Sequence, residues 1–199
     1  NVLKLINNDN IDILVDLSGH TPGNKLLVFA SKAAPIQITY LGYPNTTGLC
    51  AMDYRLTDKY ADPDESLDSF YSEKLIKLNK CFLSYSGNDK IRFKKTIPFN
   101  KNKFITFGSF NNFKKINSNV VKTWTNILHS VPNSHLILKS SENIFDNNHL
   151  LKQFYEKGIK KENIKIIDRK IETQDHMKLY DEIDVALDTF PYNGTTTTF

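Results

Sequence analysis

Short apolar runs alternate with amphipathic stretches along this chain, and most of the runs end at Gly, Pro, Asn or Asp. The run IDILVDL (11–17) is continuous rather than alternating, which predicts a strand buried on both faces, ending at Ser18-Gly19. NKLLVFASK (24–32) reads as a helix and PIQITYL (35–41) as the next strand, so the start of the chain is a βαβ unit. After the loop GYPNTTG (42–48), DYRLTD (53–58) has strand-like alternation, ADPDES (61–66) is a turn, and EKLIKL (73–78) is a further strand. Residues 84–103 lose periodicity and gain charge, Gly, Pro and Asn, the mark of a domain linker. A second series follows: strand 104–110, helix 118–131, strand 135–139, helix 145–157 stopped by Gly158, strand 163–168, helix 174–183 and strand 184–188. In its first helix Val120, Val121, Trp124, Ile127, Leu128 and Val131 form one stripe at helical spacing, as packing on a sheet requires. Strands alternating with helices imply an α/β protein with parallel, doubly wound sheets. The domains expected are 1–83 and 104–199, and Asp188 leads into a loop that should open another helix, so the second sheet is expected to be unfinished.

Composition narrows the classes. The 199 residues are long enough to bury a real core. With 40% hydrophobic and 24% charged residues, disordered and collagen-like chains are excluded. The net charge of +4 comes from lysines dispersed along the chain rather than from a block, so no nucleic-acid arm is expected. Cys50 and Cys81 fit neither a metal spacing nor a disulfide framework, which points to a reducing, cytoplasmic setting. No apolar run reaches the roughly 18 residues of a membrane helix, and NVLKLINNDN lacks the regions of a signal peptide. No membrane partner is expected. The sequons at Asn45 and Asn193 lie in loops read below as functional, where a glycan would obstruct them.

Ligands of open parallel sheets bind outside the carboxyl ends of the strands, and three loops of the second domain lie there. In GSFNNFKKINSN (108–119), Lys114 and Lys115 precede a helix capped by Asn117 or Ser118, a place where the helix dipole disfavours cations. A bound phosphate would resolve that conflict; two solvated lysines are the alternative. DTFPYNGTTTT turns at Asn193-Gly194 and presents hydroxyls and amides where a helix would begin, a phosphate cradle without a Walker lysine. Otherwise it is a β-prone tail. In KIETQDHMKLY (170–180), Thr173 can cap a helix whose first turn carries His176, a ring able to stack on a nucleobase or to sit idle on the surface. The first domain offers DLSGHT (16–21), with His20, and LGYPNTTG (41–48); His20 is either a hydrogen-bonded loop residue or a contact facing the cleft between domains. Asp62-Pro63-Asp64 matches DxD, but such a match in an acidic turn is cheap. The absence of GxGxxG, GxSxG and CxxC removes dehydrogenase, hydrolase-elbow and thiol-redox readings.

Taken together, DILVDLSGHTPGNKL, APIQITYLGYPNTTG, MDYRLTD, SEKL, FGSFNNFKKI, VPNSHLILK, DHMKLY and DVALDTFPYNGTTTT resemble the catalytic region of protein O-GlcNAc transferases and SPINDLY-type O-fucosyltransferases, glycosyltransferase family 41. The resemblance spans nearly the whole chain in the family's order. It implies a GT-B fold, two Rossmann-like lobes that are both incomplete here: 1–83 from the acceptor-side N-lobe, 84–103 the linker, 104–199 from the nucleotide-sugar-binding C-lobe. Tetratricopeptide repeats and the start of the N-lobe would precede this stretch, and the rest of the C-lobe would follow. It implies an inverting transfer of GlcNAc from UDP-GlcNAc to Ser or Thr of a polypeptide, with no metal or other cofactor. By the same likeness Lys115 contacts the donor diphosphate and is the catalytic candidate. Asn112 stands where animal enzymes carry glutamine, and His176 aligns with the base-stacking histidine. Gly194, Thr195, Thr196 and Thr197 lie on the diphosphate motif, and Gly42 and Pro44 match the loop beside the transferred sugar. Thr195 replaces a histidine of the animal enzymes, and Tyr192 a cysteine near their N-acetyl pocket. Both replacements resemble SPINDLY and bacterial relatives, which keeps GDP-fucose beside UDP-GlcNAc as a donor. A nucleotide-binding module without turnover is the reading from another class.

Overall fold

The computed structural model describes residues 2–87, 91–93, 96–140, 143–168, 173–195 and 198. The chain divides into two compact units, Asn1–Ser86 and Gly87–Phe199.

In the first unit a helix, α1 (Val2–Asn8), leads to β1 (Ile13–Asp16), α2 (Leu26–Ala30), β2 (Ile36–Thr39), β3 (Tyr54–Asp58) and β4 (Lys74–Leu78). The strands form one parallel sheet in the order β1-β2-β3-β4. The pattern read above does not include α1, which carries Leu3 and Ile6 at helical spacing, half-buried, but buries no residue. The reading of 11–17 as a strand buried on both faces is corrected. Ile13, Val15 and Leu17 are 53%, 44% and 57% exposed, while Asp16 is buried. Residues two apart share a face, so one face of β1 is open among the described residues and the other is covered. The covered face is unusually polar: Asp16, Gln37, Thr39, Arg55 and Thr57 are all buried there. Each finds partners, as burial of a polar group demands, although the Nε of Arg55 has none among the described residues. The Gln37 amide donates to the carbonyls of Phe29 and Ala51, both at 2.8 Å, and accepts from the Ala33 amide at 3.0 Å. Thr39 donates to Asp16 at 3.0 Å. The apolar part of this core is small, with Leu26, Phe29 and Met52 at its centre and Leu14 and Leu49 against them.

The second unit runs α3 (Phe99–Asn102), β5 (Thr106–Ser109), α4 (Ser118–Ser130), β6 (His135–Lys139), α5 (Ile144–Glu156), β7 (Ile164–Ile167), α6 (Thr173–Lys178) and β8 (Val185–Ala186). Its sheet is parallel, in the order β7-β6-β5-β8. One face carries α4 and α5: Val120, Val121, Trp124, Leu128, Leu150 and Phe154 pack on Phe107, Leu136, Leu138 and Ile164. The other is covered by Phe110, Ile137 and Ile183, with Ile167, Leu179 and Tyr180 around them. The helix expected over 174–183 is α6 followed by a 3-10 turn, Leu179–Glu182. The tighter turn brings successive residues, Leu179 and Tyr180, onto that second cluster. Within 84–103, read as irregular, α3 forms and the Phe99 amide donates to Asp184 at 2.7 Å.

Candidate functional site

In the second unit the loops after β5 and β8 meet at the carboxyl ends of those strands. Asp188, which the sequence does not single out, organises them. Its Oδ1 accepts from the amides of Thr189 and Gly194, both at 2.7 Å, and from the Asn111 side chain at 3.0 Å. Its Oδ2 accepts from the Thr198 hydroxyl at 3.0 Å. Burial pushes the carboxyl up, but these four donors outweigh it and hold the group below its usual 3.8. Gly194 fits because a side chain would strike the Thr198 hydroxyl and stand 2.7 Å from Asn111 Oδ1. The Gly194 amide, read as part of a phosphate cradle, is thus engaged by Asp188. Thr195 lies in the next turn, its carbonyl accepting from the Thr198 amide at 3.0 Å; Thr196 and Thr197 lie outside the described residues.

Lys114 and Lys115 sit in a 3-10 turn, Phe113–Lys115, capped by Asn112, whose side chain accepts from the Lys114 amide at 3.0 Å. The α4 N-cap is Asn117: its Oδ1 accepts from the amides of Asn119 at 2.9 Å and Val120 at 3.0 Å, and its Nδ2 donates to the Phe190 carbonyl at 2.7 Å. The conflict between a cation and the helix start is therefore met from within the protein. Lys115 reaches across to the terminal loop, donates from Nζ to the Asn193 carbonyl at 2.7 Å and lies 4.2 Å from the centre of the Tyr192 ring. Lys114 is exposed. Partial burial draws the Lys115 ammonium below its usual 10.5, and the Asp188 charge opposes that shift. A partly desolvated cation of this kind gains from an incoming anion.

His176 of α6 stands edge-on to Phe110 and Tyr180, with ring centres 6.0 and 6.2 Å away. Burial lowers its pKa from 6.5, and the charge of Lys139 lowers it further, which favours the neutral ring at neutral pH. Beside it Gly108, Ser109, Phe110, Asn111, Tyr180, Asp188 and Thr198 line a cleft of about 100 Å³. Ser109 Oγ and Asn111 Oδ1 are buried there without a partner among the described residues. The signal for Asn111 and Asp188 lay in the sequence only as polar residues at strand ends.

The first unit has its own loop cluster at the carboxyl ends of β1 and β2. A side chain at Gly42 would fall on the Leu17 carbonyl oxygen, so the two loops can touch only through glycine. Asp16 accepts from the amides of Ser18 at 3.1 Å and Gly19 at 2.8 Å. His20 is thereby set edge-on to Tyr43, 5.3 Å between ring centres, with Nε2 2.9 Å from the Thr47 carbonyl. Pro44 and Gly42 are exposed on the same loop. The DxD pair is structural: Asp62 accepts from Thr57 and from Tyr71 at 2.6 Å and lies 3.8 Å from buried Arg55, and Asp64 caps a 3-10 turn by accepting from the Ser66 amide at 2.9 Å. Among the described residues no three His, Cys, Asp or Glu side chains gather as a metal site would need, and no helix is long and apolar enough to cross a membrane.

The family profile of glycosyl transferase family 41 matches residues 2–97 and 92–199. The SPINDLY protein of Arabidopsis thaliana, named a probable UDP-N-acetylglucosamine–peptide N-acetylglucosaminyltransferase, is 41% identical over 199 residues, covering 99% of this chain and 22% of that protein. Its counterpart from Oryza sativa subsp. japonica is 43% identical over 199 residues, covering 99% and 21%. A solved structure, a mutant of Thermobaculum terrenum O-GlcNAc transferase, superposes with a TM-score of 0.89 at 33% identity, covering 98% of this chain and 37% of that one. The chain thus spans 22% and 21% of the length of the two curated relatives.

Proposed function

The chain belongs to glycosyl transferase family 41, and on that premise we propose that it is part of the catalytic region of an inverting protein O-glycosyltransferase that moves GlcNAc from UDP-GlcNAc to Ser or Thr of a polypeptide. The observation that carries the reading is Lys115: a partly buried ammonium held 2.7 Å from a loop carbonyl that a donor diphosphate can replace. Its charge then meets the negative charge that grows on the leaving diphosphate as the sugar–phosphate bond breaks. We assign that task to Lys115, with Asn112 and the hydroxyls of Thr195, Thr196 and Thr197 alongside, and to no metal. His176, neutral and flanked by aromatic edges, suits the face of a base. The glycine-packed loop with Gly42, Pro44 and His20 is assigned to the transferred sugar and its acceptor. The two exposed free cysteines fit a reducing compartment such as the cytoplasm.

A second reading, a GDP-fucose donor, is favoured by Tyr192, whose ring lies under Lys115 where animal O-GlcNAc enzymes carry a smaller residue. Thermal unfolding of the full-length protein with UDP, UDP-GlcNAc, GDP and GDP-fucose separates the two, because a ligand bound only by the folded state raises its midpoint. We expect the UDP pair to stabilise, with peptide transfer that survives EDTA. Stabilisation by the GDP pair alone selects the second reading, and none from any of the four overturns both.

A further inference from the structure

A buried carboxylate that the transfer chemistry does not use stands beneath the acceptor-side loop. Glu73, the first residue of EKLIKL, is 3% exposed. Its Oε1 accepts from the Thr47 amide at 2.7 Å and from the Thr47 hydroxyl, and its Oε2 accepts from the Thr46 hydroxyl at 2.7 Å. These donors are neutral, and burying a carboxylate to reach them is costly. The hydrogen bonds outweigh the upward pull of burial and keep the group ionised at neutral pH. What the arrangement secures is the position of one peptide unit. Thr47 is clamped through both its amide and its hydroxyl, and its carbonyl oxygen receives His20 Nε2 at 2.9 Å. A carbonyl accepts and never donates, so Nε2 carries a proton and the neutral ring bears its lone pair on Nδ1. From the other side buried Arg55 donates to the carbonyls of Tyr43 at 2.8 Å and Asn45 at 3.3 Å, which holds the start of the same loop.

We propose that Glu73 is a positioning residue of the acceptor side: by clamping Thr47 it fixes the orientation and tautomer of His20, and so the geometry in which sugar and acceptor hydroxyl meet. The inference rests on the assignment of this loop to the acceptor side. Glu73→Ala releases the clamp. Glu73→Gln keeps the Thr47 arm, because an amide oxygen can replace Oε1, and gives up only the Thr46 arm, since the Thr46 hydroxyl already accepts from the amides of Gly48 and Ser72, both at 3.1 Å, and has no lone pair left for the new NH2. Misplacing a reacting group by about 1 Å costs on the order of 10²-fold in rate.

The test uses the full-length protein, with peptide-transfer kinetics and nucleotide titrations of wild type, Glu73→Ala, Glu73→Gln, His20→Phe and the double variant Glu73→Ala/His20→Phe. We expect Glu73→Ala to lower kcat/KM for the peptide by about 10² with the nucleotide Kd unchanged, and Glu73→Gln to stay within a few-fold of wild type. In the His20→Phe background the loss from Glu73→Ala should largely vanish, since residues acting through one another are not additive. If Glu73→Ala does not fold, Thr47→Val replaces it in the cycle: it removes one arm of the clamp and should be non-additive with His20→Phe in the same way. Equal losses with and without His20, or a nucleotide Kd that shifts with kcat, overturn the inference while the functional reading stands. Absence of nucleotide-sugar transfer by the wild-type protein overturns the functional reading, and the inference with it.

Discussion

At the scale of the residue, neighbours in sequence are given unequal tasks by where their side chains end. Lys114 and Lys115 share a 3-10 turn, yet only Lys115 crosses to Asn193 and Tyr192. Partial burial has already removed part of its hydration, so an anion that replaces the Asn193 carbonyl meets an ammonium held in place. Interactions that strengthen as the leaving group gains charge show in kcat. Lys115→Ala in the full-length protein should therefore lower kcat by about 10²–10³ without unfolding it, whereas Lys114→Ala should change kcat little. Steady-state kinetics of the two variants decide it, and equal effects would remove Lys115 from the leaving group.

At the scale of the element, strands and helices were readable where burial follows periodicity, and the site was readable where its chemistry is local. The stripe Val120, Val121, Trp124 and Leu128 predicted α4, and those four residues are buried on the sheet. In the first unit the same logic misled, because the covered face carries Asp16, Gln37, Arg55 and Thr57 while Ile13 and Val15 face outward. An apolar run reports hydrophobicity but not which face is covered, and buried polar residues are invisible until their partners across the fold are known. Asp188 is such a case: its partners include Asn111, 77 residues away in sequence. The loop after β8 is shaped by that carboxylate, and its two oxygens divide the work. Three donors converge on Oδ1, while among the described residues Oδ2 meets only a hydroxyl that can reverse its role. Asp188→Asn should therefore preserve the loop. Asp188→Ala strands the amides of Thr189 and Gly194, at about 1–3 kcal/mol for each donor left buried and unpaired, and should weaken nucleotide binding as well. Thermal unfolding and nucleotide titration of the two variants measure this; matching losses would mean that charge, not loop geometry, is what Asp188 supplies.

At the scale of the whole molecule, both units depend on carboxylates that hold the backbone by accepting from it. Asp58 in the first unit is buried, a change that raises a carboxyl pKa, yet the amides of Ala61, Phe82 and Tyr60 bring it below its usual 3.8. Glu73 in the first unit and Asp188 in the second are lowered in the same sense against the same penalty, and Asp53 is lowered chiefly by its hydrogen bond from Lys32. A group whose pKa is lower in the folded than in the unfolded chain binds a proton more tightly when unfolded, so its stabilisation is complete above the unfolded value and fades as pH falls through the folded one. The unfolded values here are near 3.8 for Asp and 4.5 for Glu. Acid acts a second time through total charge: the chain already carries +4 at pH 7, and every carboxylate neutralised adds to the repulsion. The thermal midpoint of this chain should accordingly vary little between about pH 7 and pH 5 and fall steeply below about pH 4, where these groups begin to take up protons. Circular dichroism melts across that range measure it. Glu73→Gln, which removes one of the titrating groups while keeping its contacts with Thr47, should flatten the acid limb, and a midpoint that rises on acidification would mean these carboxylates do not stabilise the folded units.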